Sequence, residues 1–174
     1  MMTILTGVER LNAMRPSEFR DALARCNGAH RWVERMLAAR PFMDATGMFT
    51  ASDRIWRDLT SHDYLEAFTH HPRIGDVDGL RKKFASTASW ATQEQAATEA
   101  ADEATLQGLA AGNKTYEAKF GHIFIVCATG KSAGEMLALL EARLPNSAED
   151  EVACAAEEQR KITRLRLEKL LSDA

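Results

Sequence analysis

His122-Ile123-Phe124-Ile125-Val126-Cys127-Ala128, bounded by Gly121 and Gly130, is the only β-like run in this chain. It is short and apolar, and one strand cannot make a sheet, so the rest of the fold has to be helical. The run therefore reads as buried extended backbone whose N–H and C=O groups must find partners, and a planar ligand rich in amides could supply some.

The remaining stretches carry helical spacing and helix stops. Pro16 and Ser17 open a pattern of Phe19, Leu23 and Cys26 that Asn27-Gly28 closes. A second pattern starts near Ala29 and carries Trp32, Val33, Met36 and Leu37 to Arg40-Pro41. Ser52 is a cap for Ile55, Trp56 and Leu59, and Ser61 for the segment with Tyr64, Leu65 and Phe68. After the Asp78-Gly79 turn, Leu80 to Phe84 form a brief helical turn. Thr92-Gln93-Glu94-Gln95 has the form of a capping box before an alanine-rich helix, which Gly112 ends, and Asn113 to Phe120 add further turns. Ser132-Ala133-Gly134-Glu135 is another box, and Pro145 stops the helix that it opens. The last helix is predicted from near Ser147 to about Leu171.

The expectation is an all-α fold, a single compact domain over 1–174 with seven to nine helices and a long C-terminal helix. A hydrophobic fraction of 45% and 174 residues suffice for a core without staples. The formal net charge of -3 gives no electrostatic case for a nucleic-acid binder, and no window approaches the roughly 18 apolar residues of a membrane span. Cys26, Cys127 and Cys154 form no CxxC pair, which fits a reducing cytoplasm.

Chemistry concentrates in His70-His71-Pro72-Arg73-Ile74-Gly75-Asp76. Proline fixes its own φ and pushes His71 out of the α region, so the helix before it stops near His70 and leaves His71 at a stiff corner. On the last helix, Arg166 falls near the middle of the apolar arc that Ile162 begins, and Arg164 falls at its polar edge. A core-facing guanidinium needs an anionic partner, either a protein carboxylate or a bound anion, or must snorkel to the rim. Glu94 at the second position of its helix is plainly read as complementing the helix dipole. Three functions suit these residues. His70, His71 and Asp76, with His62-Asp63, loosely suggest a metal-dependent helical phosphohydrolase, although no HExxH or spaced His/Cys set occurs. A cofactor-free acid–base site needs one imidazole, an anion clamp and a second titratable group, which His71, Arg166 and Glu94 supply. A non-catalytic helical interaction module is the third.

Taken in order, five motifs decide between them. His71-Pro72-Arg73-Ile74-Gly75-Asp76 comes first, then Trp90 with Glu94-Gln95, then Asn113-Lys114-Thr115-Tyr116-Glu117-Ala118-Lys119-Phe120-Gly121. Phe124-Ile125-Val126-Cys127-Ala128-Thr129-Gly130-Lys131 and Lys161-Ile162-Thr163-Arg164-Leu165-Arg166-Leu167 follow. Together they resemble the 2-oxo-4-hydroxy-4-carboxy-5-ureidoimidazoline (OHCU) decarboxylase family. The resemblance implies an all-helical, homodimeric, cofactor-free enzyme of urate breakdown that forms (S)-allantoin by loss of carbon dioxide. It implies His71 as the catalytic histidine, Glu94 as its acidic partner, Gln95 as a ligand amide and Arg166 as the anion-binding arginine. Pro72 would form pocket wall, and the backbone of Ile123, Ile125, Cys127 and Ala128 would bind the ureido and ring amides. Arg73, Gly75 and Asp76 become loop structure. Ala91 stands where the family often has serine, so that hydroxyl contact is missing or comes from Thr92 or Ser89.

Overall fold

A computed structural model describes residues 6–73, 76–88 and 103–173, with the side chains of 85–88 set aside. Nine helices and no strand occur among the described residues. They are α1 (Gly7–Ala13), α2 (Pro16–Cys26), α3 (His30–Ala38), α4 (Ala45–Arg57), α5 (Ser61–Thr69), α6 (Val77–Ala88), α7 (Glu103–Phe120), α8 (Ala133–Arg143) and α9 (Ala148–Ser172). The long C-terminal helix is α9, and Ile123 to Ala128 lies outside any helix or strand.

The helix boundaries follow from local chemistry. Ser132 and Glu135 form the expected box at α8, each side chain bonding the other's backbone N–H at 3.2 and 2.9 Å. At α5 the box belongs to Thr60 and Asp63 rather than Ser61, which is the first helical residue. The α4 helix starts at Asp44, whose carboxylate accepts from Gly47 N–H at 2.7 Å; Ser52 is buried in its middle. Asp76 caps α6, so the Asp78-Gly79 turn is its first turn, and α6 runs to Ala88. Thr6 and Glu9 box the short α1.

Gly112 does not end α7. A Cβ there would lie 2.7 Å from Leu140 Cδ2, so the missing side chain lets α8 approach α7 while the helix continues. The cost of an interior glycine, about 1 kcal/mol, is offset by that packing. The capping box at Thr92 to Gln95 lies outside the described residues.

Contacts group the chain into two compact units, Met1–His71 with Ala156–Ala174, and Pro72–Ala155. The first buries Leu11, Phe19, Leu23, Trp32, Met36, Met48, Trp56 and Phe68 and includes the C-terminal half of α9, where Leu167 is buried. Trp56 Nε1 donates to Ala156 O at 2.9 Å, which fixes α4 on α9. Large apolar side chains buried in this way are each worth about 1.5–3 kcal/mol. In the second unit, Leu80, Leu106, Leu109, Ala133, Met136 and Leu140 form the core, with Phe124 and Val126 packed on it.

Candidate active site

The corner before Pro72 forms as the proline demands. His70 is the C-cap of α5, and the N–H of His71 still donates to Phe68 O at 3.3 Å. The two histidines then part. His70 is exposed, and its Nδ1 donates to Glu66 O at 3.0 Å. His71 is half-buried, and its Nε2 lies 2.5 Å from Oε1 of Gln159 on α9.

Gln159 is 1% exposed and opens a chain of neutral hydrogen bonds. Its Nε2 donates to Thr163 Oγ1 at 3.2 Å, and Asn27 Nδ2 donates to the same oxygen at 3.1 Å. The Ala29 N–H in turn donates to Asn27 Oδ1 at 2.9 Å. Buried amides left without partners cost about 1–3 kcal/mol each, so the chain fixes three side chains at once.

Arg166, one turn beyond Ile162, is half-buried and directs Nη1 at Cys26 O over 3.4 Å. No carboxylate pairs with it among the described residues, unlike Arg164, which bonds Glu168 and covers the Phe49 ring. Burial depresses the basicity of His71 below its ordinary 6.5; the Arg166 and His70 charges add to this and the Gln159 bond opposes it. The ring is therefore neutral at pH 7. Burial pushes the Cys26 thiol up to about 11 despite Arg166 and Arg25, so it is no nucleophile. A neutral half-buried imidazole beside a guanidinium that no described carboxylate balances can exchange a proton next to a bound anion.

The OHCU decarboxylase family model matches residues 12–168. The chain belongs to that family. Members of the OHCU decarboxylase family are carboxy-lyases. The chain is 36% identical over 150 residues to a uric acid degradation bifunctional protein of Arabidopsis thaliana, covering 85% of this chain and 46% of the relative. It is 34% identical over 104 residues to the 2-oxo-4-hydroxy-4-carboxy-5-ureidoimidazoline decarboxylase of Amia calva, covering 58% and 57%. This chain thus spans about half the length of these curated relatives. Its structure is similar to that of an OHCU decarboxylase crystallised in the presence of (S)-allantoin, with TM-score 0.71 and 35% identity over 88% of this chain and 99% of the other. It shares its fold with an (S)-allantoin synthase at TM-score 0.67 and 20% identity, over 95% and 54%.

Of the residues that the family pattern singles out, Arg166 lies near enough to His71 for its charge to lower the basicity of the ring. Pro72 is exposed, Ile125 and Cys127 are buried, and Ile123 and Ala128 are half-buried. The Ile125 carbonyl accepts from Arg143 Nη1 and the Cys127 carbonyl from Lys131 Nζ, both at 2.7 Å, so protein cations already hold two of these backbone groups. Glu94 and Gln95, with Ala91 and Thr92, lie outside the described residues. Among the described residues no three His, Cys, Asp or Glu side chains gather as a metal site. Asp63, one candidate ligand, is committed to Thr60 and Arg31.

Sequence reasoning passed over Gln159, Thr163 and Asn27. Counting back from Leu167 in steps of four meets Thr163 and Gln159 on the same buried ridge, and that spacing was the available signal.

Proposed function

We propose that this chain decarboxylates 2-oxo-4-hydroxy-4-carboxy-5-ureidoimidazoline to (S)-allantoin without a cofactor. The observation that carries the reading is the pairing of a neutral, half-buried His71 with Arg166, whose charge no described carboxylate balances, in a member of this family. Arg166 would hold anionic oxygen of the substrate. His71 would meet the 4-hydroxyl or the carboxylate and promote carbon dioxide loss. The bond to the carboxyl carbon breaks, its electron pair enters the adjacent imine-like and carbonyl system, and a proton added on one face of the ring completes allantoin. The substrate supplies its own electron sink, so the protein's part is positioning and charge stabilisation.

The family pattern adds Glu94 as the partner that orients His71, Gln95 as a ring-binding amide, Pro72 as wall and the backbone of Ile123, Ile125, Cys127 and Ala128 as amide partners. The match over 12–168 runs through both compact units and supports reading 1–174 as a single functional domain. A cytoplasmic homodimer is part of the same proposal; no described helix is long and apolar enough to cross a membrane.

The test generates the substrate in situ from urate and follows optically active allantoin. Wild-type protein should outpace the spontaneous background and be indifferent to chelator, while His71→Asn should lose about 10²–10⁴ in rate. Allantoin forming no faster than background with the wild type would overturn the reading.

A further inference from the structure

We propose that Gln159 is a positioning residue: its side-chain carbonyl holds the His71 proton on Nε2 and leaves Nδ1 as the nitrogen that meets the substrate. The kinetic consequence rests on the decarboxylase reading, whereas the tautomer does not.

One donor at the far end of the chain cannot turn. The backbone N–H of Ala29 must meet an acceptor, so Asn27 presents Oδ1 to it and its amide nitrogen to Thr163. Gln159 then places its own amide nitrogen on the Thr163 hydroxyl and its carbonyl on His71. A carbonyl oxygen carries no proton, so across 2.5 Å the proton belongs to His71 Nε2. With Gln159 turned over, its NH₂ group would face the ring and could accept from neither the Nε2–H form nor the imidazolium. As placed, the carbonyl serves both. Nδ1 can gain or lose a proton while the ring stays where it is, with no rearrangement of the buried chain behind it. Nδ1 has no hydrogen bond among the described residues, and the groups that face the ring are the Arg166 cation of α9, His70 of α5 and, through Arg166, the neutral Cys26 of α2.

The experiment combines ¹⁵N NMR of the His71 ring with kcat, KM and pH profiles for wild type, Gln159→Leu and Gln159→Glu. Wild type should give the Nε2-protonated signature. Gln159→Leu should mix the tautomers, cut kcat about 10–100-fold with little change in KM, and move the His71 limb to lower pH, the scale being that of partners that fix metal-bound imidazoles. Gln159→Glu keeps the acceptor, so it should retain the tautomer, raise the limb and recover most of kcat. An Nδ1-protonated wild type, or variants with unaltered tautomer and pH limb, would overturn the proposal. If Gln159→Leu does not fold, the wild-type spectrum and the Glu variant decide. A wild type without decarboxylation but with the Nε2 signature would refute the function and leave the role of Gln159 standing.

Discussion

Each compact unit buries a polar assembly among its described residues, and these two are built on opposite principles. In the second unit Tyr116 and Glu151 are both 0% exposed. Glu151 accepts from Tyr116, from Arg143 Nε at 2.7 Å and from Asn146 at 2.9 Å, and Arg143 also clasps the Ile125 carbonyl and lies over the Phe124 ring. This assembly is charged and closed on itself. In the first unit the chain Asn27, Thr163, Gln159 is neutral and ends on the half-buried His71. Formal charges taken from water must be compensated on the spot, so a charged cluster can anchor backbone but has nothing to spare. A neutral chain satisfies itself with one hydrogen bond per group and can end on a ring that changes protonation.

The difference predicts unequal damage. Glu151→Ala strands Arg143 and the Tyr116 hydroxyl in the core and should cost about 3–5 kcal/mol. Gln159→Leu strands no charge and should cost about 1–3 kcal/mol. Denaturant midpoints at unchanged slope measure both. A costlier Gln159 variant would break the contrast. Activity should run the other way: the folded fraction of Glu151→Ala keeps the His71 pH limb, which Gln159→Leu moves.

Much of this architecture was legible because helix ends carry chemistry that does not depend on tertiary context. Pro16, Ser132 with Glu135, and Pro145 place α2 and α8 within a residue, and Pro72 places the His71 corner. Errors arose where packing overrides a local rule. Gly112 looked like a stop and is a close-approach point; Ser52 looked like a cap and is buried inside α4. At the site, Arg166 stood out because a charge on an apolar arc is anomalous. Gln159 and Thr163 did not, because a polar residue is counted as exposed unless its hydrogen-bond partners are known, and those partners, His71 and Asn27, lie far away in sequence.

Two glycines sharpen the comparison at intermediate cost. A Cβ on Gly28 would lie 2.3 Å from His70 Cγ and 2.7 Å from its Cβ, the stem of the ring, so the end of α5 must shift. Gly28→Ala should lose about 1–3 kcal/mol and also lower kcat, because His71 is the next residue. On Gly112 the added carbon meets the far end of the Leu140 side chain, Cδ2 at 2.7 Å, and alanine returns about 1 kcal/mol of helix propensity. Gly112→Ala should therefore change stability by less than about 1 kcal/mol and leave turnover alone. Thermal unfolding and turnover assays of the two variants check this, and equal losses in both would show that the His70 contact transmits nothing to the site.

The smallest effect separates the assemblies by pH. His71 has a folded basicity below its ordinary 6.5, chiefly through burial, with Arg166 and His70 adding to it. Above that value the ring is neutral in both states and its contribution is complete. As pH falls below 6.5 the unfolded chain binds the proton first, so stability declines until the folded ring also protonates, at a slope of at most about 1.4 kcal/mol per pH unit. Glu151 behaves in the opposite chemical sense but loses stability in the same direction. Burial alone would raise its carboxyl, and bonds from Arg143, Tyr116 and Asn146 outweigh that and hold it below the ordinary 4.5. Its contribution is present above 4.5 and fades as pH falls through the lower folded value. Stability against pH should thus show two descending steps, the upper one abolished by His71→Asn and the lower one reduced by Glu151→Gln. Exposed carboxylates such as Glu18 and Glu34, lowered by their arginine partners, share the lower step and weaken with salt. The upper step belongs to a half-buried ring and should persist in 1 M salt, where the Debye length is about 3 Å. An upper step that vanishes with salt would mean that distant surface charge sets the His71 proton affinity, and the neutral chain behind it would then lose its distinction from the charged one.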